Sequence, residues 1–258
     1  MTAPSFVHLR RLTDGGGLYE HALHEVPRPE HGYCVDDVAR ALVVVCRDPA
    51  TAEANADLRT AYLDFVLAAQ SPDGRFRNRR ATDLSWSGSP SVEDCWGRAL
   101  WGLGAVVAWD GDEAQCAAAL EAFERGAAWW SPWSRAMAFA MLGAAGVHTR
   151  HPGSRPAREL LAAGAQCIGR PSLLEEWPWP EARLTYANAT VPEALLAAGH
   201  ALGDEQLTND GLLLLGWLVQ VQTRNGHLSV VPVGGRGPGD GRARAHPRAR
   251  RGGRPRNP

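Results

Sequence analysis

Residues 36–42 read Asp36-Asp37-Val38-Ala39-Arg40-Ala41-Leu42, and residues 93–100 read Glu93-Asp94-Cys95-Trp96-Gly97-Arg98-Ala99-Leu100. Each stretch opens a helix with paired acids and continues into an apolar run. After the first helix pair comes Gln70-Ser71-Pro72-Asp73-Gly74-Arg75-Phe76, and after the last comes Gln222-Thr223-Arg224-Asn225-Gly226-His227-Leu228. A pattern of helix, helix and turn that returns in this way brings acids and aromatics back to one end of the structure. It predicts an all-α fold, an incomplete (α/α)6 toroid built from about four helical hairpins.

Apolar periodicity places eight helices. They cover about 36–46, 52–69, 92–109, 113–130, 135–145, 157–168, a segment starting near 190, and 205–222. The second carries Leu58, Tyr62, Phe65, Val66 and Ala69 at helical spacing. Pro192 falls in a first helical turn, where its missing N–H is harmless. The run Ala99-Leu100-Trp101-Gly102-Leu103-Gly104-Ala105 is apolar nearly all round, which suits a helix packed on both sides. Thr13-Asp14-Gly15-Gly16-Gly17 reads as a turn. The expected organisation is an irregular N-terminal segment (1–34), a toroid domain (35–233) and a tail (234–258). The tail has no apolar periodicity and is expected to be disordered; its text resembles out-of-frame translation of GC-rich DNA.

The 258 residues are 45% hydrophobic and 21% charged, ordinary for a globular domain. All 27 basic residues are arginine. The net charge of −1 hides an asymmetry: residues 236–258 hold eight arginines and one acid, which leaves 19 basic and 27 acidic residues in the body, a net of −8. Such a body is not built for nucleic acid. The five cysteines form no CxxC and read as free thiols in a reducing cytoplasm. The N-terminus lacks the order of a signal peptide, and the longest apolar run is too short to span a bilayer. Nine histidines show no metal spacing, and no phosphate-loop, dinucleotide or nucleophile-elbow motif occurs. No metal or cofactor is expected.

Ten tryptophans against five phenylalanines is unusual. The indole has a flat apolar face and a polar edge, and it suits sugar rings as well as cores. Acids at a helix start can simply cap free N–H groups and favour the dipole, and Asp36–Arg40 and Asp94–Arg98 are i,i+4 pairs. Their recurrence also suits chemistry, because glycosidic cleavage needs two carboxylates, one to protonate the leaving oxygen and one to activate water or attack. Asp37, Glu93 and Asp94 are the acid/base candidates. Tyr33, Asp36, Arg40 and Trp96 flank them as binding candidates. The stretch Glu175-Glu176-Trp177-Pro178-Trp179-Pro180-Glu181-Ala182-Arg183-Leu184-Thr185-Tyr186-Ala187-Asn188 adds Trp177, Trp179, Glu181, Tyr186 and Asn188 as candidate sugar contacts. Trp129, Trp130 and Trp133 surround a helix break and read rather as hairpin packing.

The motifs His8-Leu9-Arg10-Arg11-Leu12-Thr13-Asp14, His21-Ala22, Gly32-Tyr33-Cys34-Val35-Asp36-Asp37-Val38-Ala39-Arg40-Ala41-Leu42 and Leu184-Thr185-Tyr186-Ala187-Asn188 resemble bacterial proteins of the six-hairpin glycosidase-like superfamily. The resemblance covers about residues 6–235. It implies an (α/α)6 toroid, often associated with glycosyltransferases, that acts on or binds an oligosaccharide or polysaccharide. The Gly15-Gly16-Gly17-Leu18-Tyr19-Glu20 stretch departs from the relatives' usual text. Their Phe-Asp-Gln-Gln-Pro-Ile-Glu segment has no counterpart here, so the ring is expected to lack two hairpins. Three functions follow as expectations: glycoside hydrolase-like cleavage, a non-catalytic glycan-binding or accessory module, and a helical protein-binding scaffold.

Overall fold

The computed structural model describes residues 4–48, 53–109, 111–172, 176–232 and 234–240. Among them the chain forms nine helices: α1 (Val7–Arg11), α2 (Val35–Arg47), α3 (Ala56–Ala69), α4 (Asp94–Ala108), α5 (Glu113–Gly126), α6 (Ser134–Arg150), α7 (Arg155–Ile168), α8 (Thr190–Leu202) and α9 (Glu205–Gln222). The fold is all-α, with only two-residue strands between the helices.

Burial sorts the helices into two layers. In α4, Cys95 through Leu100 are buried without a break, and in α6 Arg135 through Ala144 are. Helices α2, α4, α6 and α8 form an inner layer in which each packs on the next. Outer helices bury a single stripe, as in α5 with Ala119, Ala122, Phe123 and Gly126, and α7 with Ala157, Leu160, Leu161, Gly164 and Ile168. Each outer helix packs on its hairpin partner: α3 on α2, α5 on α4, α7 on α6 and α9 on α8. The result is an open arc of four α-hairpins with the inner N-termini at one end.

Glycine sets the seam between α4 and α6. A Cβ on Gly97 would lie 2.2 Å from the Ala136 carbonyl oxygen, one on Gly104 would lie 2.1 Å from the Gly143 oxygen, and one on Gly143 would lie 2.1 Å from the Leu100 oxygen. Only hydrogen at these positions lets the two backbones come this close.

Helix α6 runs on to Arg150, beyond the expected end near 145, because Gly143 and Gly146 are contact points against α4 rather than breaks. Helix α5 stops at Gly126, whose carbonyl accepts the Trp96 indole N–H at 3.0 Å, so Trp129 and Trp130 lie beyond it. Helix α3 starts at Ala56, later than expected, and residues 49–52 lie outside the described residues.

The segment 1–34 is more regular than its composition suggests. It holds α1 and two small β-hairpins, Thr13–Asp14 with Gly17–Leu18 and Ala22–Leu23 with Val26–Pro27. Arg10 donates to Asp57 at 2.6 Å and the Thr13 hydroxyl meets the Tyr62 hydroxyl at 2.6 Å, which ties this segment to α3. Tyr33–Cys34 pairs with Arg79–Arg80, which pairs with Trp86–Ser87, in a three-stranded sheet over the start of α2. Residues 234–240 of the expected tail are placed: Arg236 pairs with Leu184, and Asp240 bridges to Arg183 at 2.7 Å. The rest of the tail, 241–258, lies outside the described residues. No helix among the described residues is long and apolar enough to cross a membrane.

The seam makes a stability prediction. Gly104→Ala lowers stability by about 1–3 kcal/mol or more, because the seam must open. Gly216→Ala, on the open face of α9 with nothing near its Cβ, gains about 0.5–1 kcal/mol. Urea midpoints of the two variants move in opposite directions; equal shifts would refute the close approach.

Candidate functional site

The inner helices begin differently from three of the four outer ones. Asp112, Ser154 and Asp204 accept the N–H groups of Gln115, Ala157 and Leu207 and so cap α5, α7 and α9. The residues that precede α2, α4, α6 and α8 make no such bond, nor does Asn55 before α3. The acids at the start of α2 and α4 are therefore not helix caps, and their carboxylates are directed to other partners.

Asp94 is the centre of one set. Its Oδ1 accepts the Tyr186 hydroxyl at 3.0 Å, and its Oδ2 accepts Arg98 Nη2 at 3.2 Å. Arg98 also stands 3.4 Å from Asp36 Oδ1 and lies 4.4 Å above the Phe139 ring. Asn78 Nδ2 donates to Asp36 Oδ2 at 2.9 Å. Burial pushes the Asp36 carboxyl up; the hydrogen bond from Asn78 and the Arg98 charge pull it back, and the Asp94 charge raises it again.

Arg135, at the start of α6 and only 4% exposed, is the centre of the second set. Its guanidinium binds the Glu181 carboxylate, the Tyr186 carbonyl at 2.9 Å, the Asn188 side-chain oxygen at 2.9 Å and the Thr185 hydroxyl at 3.3 Å. The Trp179 indole donates to Glu181 Oε2 at 3.1 Å, and the Trp177 indole donates to the Glu181 carbonyl at 2.9 Å. Both indoles pack on Trp217 of α9. One buried cation thus organises the loop that leads into α8.

The two sets meet at a cleft of about 450 Å³ lined by Glu93, Asp94, Pro132, Trp133, Ser134, Arg135, Glu181, Thr185 and Tyr186. Of the candidates from sequence, Glu93, Asp94, Glu181 and Tyr186 front this cleft. Glu93 is exposed on its wall, and Tyr186 is half exposed. Burial and the neighbouring Asp94 carboxylate push the Tyr186 phenol up to about 12.

Other candidates are corrected. Trp96 is wholly buried with its N–H bonded to Gly126, so it has no face to offer a ligand. Tyr33 is buried, and its hydroxyl donates to Asp14. Asp37 and Arg40 form an ion pair on a separate groove beside Leu9, Leu12 and Val44, one helical position away from the cleft side of α2. Adjacent residues on a helix face different ways, so Asp36 rather than Asp37 joins the Asp94 set. Trp179 and Asn188 are buried and act as supports for Glu181 and the loop. Trp177 is partly buried in the same support. Glu175 lies outside the described residues.

Trp133, read from the sequence as hairpin packing, fronts the cleft, and Arg98, read only as a helix partner of Asp94, and Arg135, not singled out, hold its acids. Trp133 is 60% exposed on the cleft. Its signal was its place directly before α6, equivalent to that of Glu93 before α4. Among the described residues, no group of three or more His, Cys, Asp or Glu side chains could share a metal ion. Comparison with known protein families and with curated proteins finds no match for this chain.

Two predictions follow from these sets. Arg135→Met leaves Glu181 and Asn188 without their cation and costs about 3–5 kcal/mol; an unchanged melting curve would remove Arg135 as the organiser of the loop. All four tyrosines are held above the ordinary phenol value. A phenol raised in the folded state contributes stability that is complete below about pH 10 and is lost as pH rises through the raised value. In an absorbance titration the phenols of the folded protein therefore ionise at higher pH than those of the protein in denaturant; coincident curves would contradict the burial and carboxylate contacts of these phenols.

Proposed function

We propose that the cleft binds a glycan and cleaves it in the manner of a glycoside hydrolase. The observation that carries this reading is the convergence of three carboxylates, Glu93, Asp94 and Glu181, with two exposed rings, Trp133 and Tyr186, on one cleft. Carboxylates bind and activate hydroxyl groups, and aromatic faces take the apolar face of a sugar ring. In the proposed reaction Glu93, which holds no ion pair among the described residues, gives its proton to the glycosidic oxygen as the bond from the anomeric carbon breaks. Glu181, ion-paired with Arg135, takes a proton from the water whose oxygen bonds to that carbon. Asp94 and Tyr186 orient the sugar, and Arg98 holds Asp94 in place.

A specific observation favours a second reading. Two of the three carboxylates are already engaged by arginines, Asp94 by Arg98 and Glu181 by Arg135. A site of this kind also serves a non-catalytic glycan-binding module that works with a glycosyltransferase.

Release of reducing ends from a panel of soluble α-glucans, β-glucans, xylans and mannans separates the readings. For an enzyme, Glu93→Gln and Glu181→Gln each reduce turnover about 10²–10⁴-fold and leave binding nearly intact. Trp133→Ala weakens binding about tenfold. Retention without release supports the module; neither retention nor release sinks both readings.

A further inference from the structure

Trp130 and Trp133 are 64% and 60% exposed, although they stand in one short connection between α5 and α6. Indoles that large are rarely left in solvent without a partner to cover them. The two rings serve different cavities. Trp133 lines the carboxylate cleft, and Trp130 lines a wider groove of about 790 Å³ against α7. The groove has an apolar floor of Met137, Ala163 and Cys167 and a polar rim of Arg155, Glu159 and Gln166. Only Ser131 and Pro132 separate the two rings, so their Cα atoms lie within about 11 Å of each other. That span suits a short run of sugar rings.

We propose that the cleft and the α7 groove form one continuous track for an extended glycan, with Trp133 and Trp130 as successive stacking platforms. This rests on the carbohydrate reading of the cleft and makes the substrate a polysaccharide or long oligosaccharide, in place of a disaccharide. The chain passes over the Ser131-Pro132 ridge. Its sugar faces lie on the two indoles, and its hydroxyls meet Glu93 and Glu181 on one side and Arg155, Glu159 and Gln166 on the other. The apolar floor and polar rim of the groove match the alternating faces of a sugar chain. A protein partner on the same groove would have no reason to extend to the carboxylates.

The test measures affinity by calorimetry for cello-, xylo-, manno- and maltooligosaccharides from the disaccharide to the octasaccharide. The full chain is used, unaltered and as Trp130→Ala, Trp130→Phe and Trp133→Ala. The track predicts affinity that rises with length. Trp130→Ala weakens the octasaccharide about tenfold and leaves the disaccharide unchanged, while Trp133→Ala weakens both. Trp130→Phe restores most of the loss. Equal affinity for short and long chains, or an octasaccharide indifferent to Trp130→Ala, overturns the track and leaves the cleft reading standing. No binding of any oligosaccharide by the unaltered protein overturns both.

Discussion

Three glycines in the α4–α6 seam govern the geometry of the whole arc. Because Gly97, Gly104 and Gly143 carry no side chain, the two central inner helices meet backbone to backbone along their length. That contact fixes where α4 and α6 begin relative to each other. It is therefore the seam that places Asp94 and Arg98 beside the start of α6 and lets Tyr186 reach across to Asp94. Bulky residues in the seam would separate the walls of the cleft before they touched any residue within it.

The division of labour between layers has the same origin. Three of the four outer helices, α5, α7 and α9, satisfy a first-turn N–H group with their own Asp or Ser side chain. Helices α4 and α6 begin at the cleft, and the carboxylates at the starts of α2 and α4 bond to arginine, a phenol and an amide instead. The two buried guanidiniums, Arg98 and Arg135, fix the acids in place, and their own charges are neutralised by the same contacts. An arginine suits this role because its planar fork can serve several oxygens at once, as Arg135 does for four groups.

The class of fold and most helices were legible because burial leaves a periodic trace. The stripe through Ala119, Ala122 and Phe123 marks an outer helix, and the unbroken apolar run through Leu100 and Leu103 marks an inner one. The recurrence of acids at 36–37 and 93–94 marked the starts of two inner helices, α2 and α4. It did not tell which acid of the first pair joins the Asp94 set, since adjacent positions differ by about 100° around a helix: Asp36 meets Arg98, and Asp37 turns to another groove. Trp96 was misread because a tryptophan beside an acid looks the same whether it fills a core or faces a ligand. Arg135 left no local trace at all: its partners lie some fifty residues away, in a loop whose path depends on tertiary packing. The expected tail was too long, since Arg236 and Asp240 find partners in Leu184 and Arg183 that composition does not reveal.

The loop that carries Glu181 and Tyr186 is held from two sides. Arg135 binds it from the cleft floor, and the pairing of Leu184 with Arg236 binds it from outside. A recognition loop left free would have to surrender conformational freedom each time a ligand arrived, and that loss would be subtracted from the affinity. Here the ordering is done during folding, so under the proposed glycan reading the rings and carboxylates stand in position before a ligand arrives, and discrimination would rest on fit rather than on the loop's capacity to adapt.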